Sequence, residues 1–181
     1  PVGKDSLSMK ANWQDNGTDK TVSSPMSLII TAFAPVQNVA KTITPELVNA
    51  DAKLLRLDLS RGKLRLGGSI FAQTLIQLGN DCPDVDDATD LANLFGFIQA
   101  ANEAGLIRAY HDIGDGGLVA TVAEMQFASR LKVNLNLTDD NLLGQLFAEE
   151  LGAVIQVLPA DVDALQALAK DHGVDGLLTA V

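Results

Sequence analysis

The chain has 181 residues, of which 47% are hydrophobic, and this excludes a wholly disordered protein because enough apolar surface is present to build a core. The formal net charge of −10 argues against a nucleic acid or an anionic membrane as the partner. The single cysteine, Cys82, excludes an internal disulfide and is predicted to be a loop thiol. With only two histidines the chain also lacks the ligands of a typical zinc enzyme.

No secretory signal and no run of about 18–20 apolar residues is visible in the sequence. We therefore expect a cytoplasmic protein without a membrane partner. The chain begins at Pro1, inside a segment that carries a motif, and we expect it to be a piece of a longer protein.

The first 25 residues are polar, and residues 14–24 show no apolar periodicity, which predicts a loop. After Ser24-Pro25 the patterns of strands and helices alternate regularly. A domain boundary is therefore predicted there, with residues 1–25 as a short tail and residues 26–181 as the larger domain.

Two β-rich apolar runs predict buried strands at residues 27–36 and 53–59. Gly67-Gly68-Ser69 then predicts the start of a helix that Ser69 caps and Gly79 ends. The side chains of this helix that are predicted to face the core are Ile70, Phe71, Thr74, Leu75 and Leu78.

An acidic run precedes the next predicted helix, whose apolar positions 91, 94, 95 and 98 share one face. Its four carboxylates could form a calcium loop, but the EF-hand spacing is absent and acidic residues are favoured at helix starts. We therefore predict a solvated helix start. The residues of the run are Asp84, Asp86, Asp87 and Asp90.

Strands are next predicted at residues 106–111, 132–137, 152–158 and 174–181. Helices are predicted after residue 117, over residues 142–149 with Thr138 as cap, and over residues 161–172, where His172 has a structural place in the last turn. The order of elements predicts an α/β or α+β fold with a mixed β-sheet covered by helices. The inward positions of the first and third of these helices are Leu118, Val122, Met125, Val162, Leu165 and Leu168.

The most informative segment is His111-Asp112-Ile113-Gly114-Asp115-Gly116-Gly117-Leu118, between a predicted strand and a predicted helix. Its glycines allow close approach of a ligand to the backbone, and the following helix offers free N–H groups. Amides suit a phosphate, and the carboxylates of Asp112 and Asp115 suit the accompanying magnesium. Glycine and aspartate also occur in such turns for steric and capping reasons alone.

Two further segments carry chemical groups. Lys4, Asp5, Ser6 and Ser8 are groups that bind phosphate and magnesium, although the P-loop spacing is absent and such residues are common in loops. The pair Glu149-Glu150 ends a predicted helix, where acids oppose the helix dipole. This indicates either a cationic partner or a solvated pair.

In this order, the segments Gly3-Lys4-Asp5-Ser6-Leu7-Ser8-Met9, L-G-G-S, H-D-x-x-D-G-G-L and F-x-E-E-L-G resemble the large form of phosphoribosylformylglycinamidine synthase, of the AIR synthetase superfamily. The resemblance runs over essentially the whole chain. No single segment is decisive, but four at this spacing are specific.

The resemblance implies an ATP- and glutamine-dependent enzyme of purine biosynthesis that converts formylglycinamide ribonucleotide to formylglycinamidine ribonucleotide. In this family ATP activates the amide oxygen, and ammonia from a C-terminal glutaminase displaces the phosphate. The chain looks like the end of one AIR synthetase N-terminal-like domain (1–25) and an entire AIR synthetase C-terminal-like domain (26–181). The first AIR synthetase-like half and the glutaminase would be its partners, and we expect the isolated chain to be inactive.

Residue by residue, the resemblance implies that Asp112 binds magnesium and that Gly114, Asp115 and Gly116 contact ATP or ADP. Gly114 stands where the family usually has serine, so a hydroxyl is lost there. Glu149 matches the first acid of F-N-E-E-L-G, in which Ala148 replaces asparagine. Residues 4–8 resemble a strand end that faces substrate phosphate or nucleotide.

Two alternatives stay open. The chain could belong to another superfamily member, such as an AIR synthetase, selenophosphate synthetase or thiamine-monophosphate kinase, although these should lack two of the four segments. It could also be a non-catalytic nucleotide-binding or assembly module, because Gly114 and Ala148 allow for a decayed or purely structural site. The resemblance also implies one reacting and one structural nucleotide at related sites, and Asp112 could serve either.

Overall fold

The computed structural model describes residues 4–6, 10–23, 27–29, 31–36, 38–48, 51–138 and 140–181. It divides into two compact units, residues 1–40 and residues 41–181. The predicted boundary at Ser24-Pro25 lies outside the described residues and stays a prediction.

The smaller unit contains two pairs of antiparallel strands. Strand β1 (Lys4–Ser6) pairs with β4 (Ser27–Ile29), and β2 (Lys10–Asp15) pairs with β3 (Thr18–Ser23). The loop predicted over residues 14–24 is therefore wrong for residues 14–23, which belong to a hairpin. Asn16 and Gly17 form its two-residue turn with φ angles of 50° and 77°, the conformation that favours Asn-Gly in hairpins.

Residues 10–23 are all exposed, which explains why hydrophobic periodicity missed this hairpin. Hydrogen bonds between side chains cross the hairpin: Gln14 Nε2 donates to Asp19 Oδ1 at 2.8 Å, and Thr21 Oγ1 donates to Asn12 Oδ1 at 2.7 Å. The buried strand predicted over residues 27–36 is also wrong in part. Residues 31–36 form no strand and are exposed, and Phe33 is 93% exposed.

The larger unit contains a four-stranded antiparallel sheet of order β6-β7-β5-β8. Its strands are β5 (Lys53–Asp58), β6 (Ala109–Asp112), β7 (Gly152–Val157) and β8 (Leu178–Ala180). The helices of this unit are α1 (Ile70–Thr74), α2 (Ala88–Glu103), α3 (Gly117–Ser129), α4 (Leu142–Phe147) and α5 (Val162–Asp171). The predicted class, α/β or α+β with a sheet covered by helices, is confirmed, but this sheet is antiparallel rather than mixed.

Helices cover both faces of this sheet. Neighbouring residues of a strand point to opposite faces, and on β7 they contact different helices. Ile155 belongs to one core cluster together with Phe97 of α2 and Leu165 of α5. Val154 belongs to the other, together with Leu118, Val122 and Met125 of α3. The inward face predicted for the helix after the glycines is therefore confirmed.

Several local predictions need correction. Helix α1 is capped by Ser69 as expected but has only five residues, and Ile70, Leu75 and Leu78 are exposed rather than inward. Helix α4 is capped by Asn141, whose Oδ1 accepts from Gly144 N at 3.2 Å, and not by Thr138.

The predicted strand at residues 132–137 is also wrong, because this segment pairs with no strand of the described chain. It nevertheless keeps the expected alternation, with Val133, Leu135 and Leu137 partly buried against the second core cluster. At the C-terminus, residues 174–181 form regular strand only over β8, after a 3-10 turn at Asp175–Leu177. None of the helices in the part of the chain that is described is long and apolar enough to span a membrane.

Candidate functional site

The glycine turn, residues 112–117, joins the end of β6 to the start of α3. Ile113 N donates to Gly152 O at 3.0 Å and so extends the sheet contact into the turn. Gly117 has a φ of +67°, and a Cβ on it would lie 2.7 Å from Phe147 C and 2.8 Å from Leu146 O. Only glycine allows the end of α4 to pack this closely against the start of α3.

The carboxylate of Glu149 joins the glycine turn to the start of α1. Its Oε1 accepts from Gly116 N at 2.8 Å and from Ile70 N at 2.8 Å. Both donors are N-terminal amides that have no partner within their own helices. Three segments that the sequence singled out separately, the L-G-G-S start, the glycine turn and the acid pair, therefore meet at one carboxylate.

The carboxylate of Glu150 has a different partner, the buried side chain of Arg65. Arg65 N and Nε donate to Glu150 Oε1, and Nη2 donates to Oε2, each at 2.8 Å. Glu150 is 1% exposed, so the solvated pair is wrong for this residue and a basic partner is confirmed. The hydrogen bonds with Glu150 raise the pKa of the Arg65 guanidinium above its ordinary value.

Arg65 was missed by the sequence reasoning, although it stands alone between Leu64 and Leu66 just before the helix start. It also donates to Asp86, with Nη2 lying 2.9 Å from Oδ2. Hydrogen bonds from Lys63 and Arg65, opposed by partial burial, lower the pKa of the Asp86 carboxyl. The acidic run does precede a helix, which Asp87 caps, but it is not simply solvated, because Asp86 and Asp90 pair with basic side chains.

The other groups of the glycine turn face solvent. The side chain of Asp112 is 76% exposed, and Gly114 and Asp115 are exposed. Among the described residues, no hydrogen bond is made by the amides of Gly114 and Asp115. A Cβ built on Gly114 would meet no heavy atom within 4 Å, so the backbone there is open to a ligand.

The side chains next to Asp112 are held in place. His111 lies between Asp112 O, 2.8 Å from its Nδ1, and Glu124 Oε2, 2.7 Å from its Nε2. Thr121 Oγ1 donates to Asp112 O at 3.3 Å. Burial raises the pKa of the Tyr110 hydroxyl, and the charge of Asp112 adds to this shift.

No group of three or more His, Cys, Asp or Glu side chains in the described ranges could hold a metal ion by itself. A magnesium ion that arrives with a nucleotide needs less, because it is bound by one or two carboxylates together with phosphate oxygens and water. The exposed carboxylate of Asp112 beside two free amides fits this second kind of site.

The remaining candidate residues belong to other segments of the chain. Lys4, Asp5 and Ser6 form β1 in the smaller unit, and Ser8 lies outside the described residues. Cys82 is a free, exposed thiol in the loop before α2, as predicted. His172 is the C-cap of α5 and packs edge-on against Phe97 at 6.3 Å, which agrees with a structural role.

The larger unit is a domain of the AIR synthase-related class. The family model "AIR synthase related protein, C-terminal domain" matches residues 53–176, and the chain belongs to this family. A second model, "FGAR-AT PurM_N-like domain", matches residues 1–35.

The chain is also similar in structure to solved structures of proteins named PurL. They include Thermotoga maritima PurL complexed with FGAR (16% identity, TM-score 0.56, covering 79% of this chain and 25% of that chain). PurL of the same organism complexed with ATP is 17% identical, with a TM-score of 0.53, and the match covers 79% of this chain and 23% of that chain. At this identity the likeness concerns the fold, and the chain spans about a quarter of the length of these proteins.

Proposed function

We propose that the chain is part of a large-form phosphoribosylformylglycinamidine synthase and supplies one side of a magnesium-nucleotide site. The family match, the FGAR-AT PurM_N-like match and the fold shared with PurL complexes of ATP, ADP and FGAR support this proposal. The observation that carries it is the glycine turn, where an exposed carboxylate and two free amides lie together.

In this proposal Asp112 binds Mg²⁺, and the amides of Gly114 and Asp115 donate to phosphate oxygens. The Gly116 amide donates to Glu149 in the structure. We therefore propose that Gly116 maintains the shape of the nucleotide site. When bound, ATP would supply the phosphoryl group that activates an amide oxygen, while these residues hold its phosphates in place.

We further propose that Lys4, Asp5, Ser6 and Ser8 bind a phosphate of substrate or nucleotide, which rests on the family resemblance. Residues 1–25 would then be the end of one domain and residues 26–181 a second domain. A first AIR synthetase-like half and a glutaminase would complete the enzyme, and the isolated chain would be inactive.

The reading frame around the coding segment tests the larger assignment. We expect an open frame with a glycine-rich nucleotide loop upstream and a glutaminase with a cysteine nucleophile downstream. A start codon just upstream and a stop codon just downstream, with neither element present, would contradict the assignment of the chain to a piece of the synthase.

Calorimetric titration of ADP with Mg²⁺ into the protein tests the site itself. Asp112→Asn should weaken binding by at least about tenfold, because even residues that only support a metal ligand contribute that much. Asp163→Asn, at an exposed aspartate of α5, is the matched control and should bind like wild type. Equal binding by all three proteins would contradict the role of Asp112.

A purely structural nucleotide is the second candidate, because the Gly116 amide already donates to Glu149 and Gly114 offers no hydroxyl. A bound nucleotide at ~100-fold saturation adds about 2.7 kcal/mol of stability. In the intact protein, Asp112→Ala would then lower the stability and leave turnover per folded molecule unchanged. A large loss of turnover in fully folded protein would favour the catalytic site.

A further inference from the structure

Glu149 is the one described carboxylate that joins two separate helix starts. It follows the C-cap Ala148 of α4, and its Oε1 accepts from Gly116 N and Ile70 N, each at 2.8 Å. Hydrogen bonds to an ionised acceptor are stronger than neutral ones. Losing this carboxylate would free two amides at once, one at each turn.

Packing fixes the segment that carries Glu149 on both sides. Phe147 stacks on Phe71 of α1, with ring centroids 4.5 Å apart and planes inclined by 13°. On the other side, the backbone of residues 146–148 lies against Gly117, where no side chain fits. The carboxylate is therefore held where it can contact both turns, and rotation of its side chain is not needed to make either bond.

The groups that we assign to the nucleotide lie just before this anchored amide. Asp112, Gly114 and Asp115 occupy the part of the glycine turn that precedes Gly116, and they are exposed. The sheet contact of Ile113 N fixes one end of the turn. The bond from Gly116 to Glu149 fixes the other.

We propose that Glu149 is a positioning residue, which clamps the glycine turn to the start of α1 and thereby sets the place of Asp112 and of the free amides of Gly114 and Asp115. The second half of this inference rests on the proposed nucleotide site. The clamp itself does not depend on it.

Hydrogen exchange followed by mass spectrometry on the intact protein tests the clamp. In Glu149→Ala, exchange should rise by about tenfold or more in peptides that cover both turns, residues 66–70 and 112–117. Glu149→Gln keeps an acceptor oxygen and should stay close to wild type. Peptides from the hairpin of residues 10–23 serve as the internal reference.

Titration of Mg-ADP into the same proteins tests the positioning role. Glu149→Ala should bind about 10- to 100-fold more weakly, and Glu149→Gln should recover most of this loss. Glu46→Ala is the control, because Glu46 is an exposed glutamate whose side chain contacts neither of the two amides. It should leave both exchange and affinity unchanged.

The outcomes separate the two proposals. Unchanged exchange in Glu149→Ala, faster exchange at only one turn, or the same changes in Glu46→Ala would overturn the clamp. Faster exchange at both turns with unchanged affinity would overturn the positioning role. If wild-type protein binds no Mg-nucleotide, the proposed function and the positioning role fail, and the exchange data alone decide the clamp.

Discussion

Arg65 and Arg56 are buried to almost the same degree, 8% and 7% exposed, but only one of them has adequate partners. Arg65 lies in the loop before α1 and donates to both oxygens of Glu150 and to Asp86. Arg56 lies on the central strand β5, where Nε and Nη2 are buried without a hydrogen-bond partner. Its nearest described carboxylate, Asp58 Oδ2, is 3.8 Å from Nη2.

The difference shows that burial alone does not tell what a charged side chain contributes. A buried guanidinium stabilises a fold only when its donors meet acceptors, since the loss of hydration otherwise remains uncompensated. A loop can bring carboxylates to Arg65. On β5 the cross-strand neighbours of Arg56 are Val154 and Thr179, and neither carries a charge.

Arg65→Met should have the largest effect, a loss of about 3–5 kcal/mol in the free energy of unfolding, because it leaves Glu150 buried and unpaired. Chemical denaturation measures this loss. Arg108→Met, at an arginine on the surface, is the control and should change little. A loss of similar size in the control would contradict the claim that the buried contact of Arg65 with Glu150 causes the destabilisation.

The double variant Arg65→Met with Glu150→Leu should regain part of that loss, since no charge is then left in the core. We expect a coupling free energy of about 1–3 kcal/mol from the double-mutant cycle. The recovery is incomplete because Arg65 N also loses its acceptor. Strict additivity of the two single changes would show that the contact contributes nothing of its own.

Arg56→Met should raise the stability by about 1 kcal/mol or more, because a buried guanidinium with two nitrogens that lack hydrogen-bond partners is replaced by an apolar side chain. Asp58 keeps its own donors, Ser60 N and Gly62 N, so the change leaves no carboxylate without a partner. The midpoint of thermal unfolding measures the gain. A marked decrease would show instead that Arg56 stabilises the fold through its 3.8 Å contact with Asp58.

Asp86→Asn should give the smallest effect, visible mainly in its pH dependence. The pKa of Asp86 is lowered in the folded protein, so its contribution is present above the ordinary value of 3.8 and is lost as pH falls through the lowered value. The difference in stability between wild type and Asp86→Asn should therefore be constant near neutral pH and shrink in acid. A difference that grows in acid would contradict a lowered pKa of Asp86 in the folded protein.

Sequence reasoning performed best where one face of an element is buried. The spacing of Leu118, Val122 and Met125 predicted the inner face of α3, and all three are buried. It failed where no core contributes to the pattern. The hairpin of β2 and β3 is exposed on both faces, and only Asn16-Gly17 could have indicated it. The opposite error occurred at residues 132–137. Their side chains alternate in burial as a strand would, but the segment pairs with no strand of the described chain.

By itself, the sequence determined the order of the elements in the larger unit, except for the strand expected at residues 132–137. It also determined the cap at Ser69 and the turn between β6 and α3, because these depend on neighbours along the chain. Only the tertiary structure decided the partners of the two acids. Glu149 meets Ile70 across 79 residues, and Glu150 meets Arg65 across 85. Such contacts depend on how the helices pack and which loops close, and no local pattern of side chains encodes that.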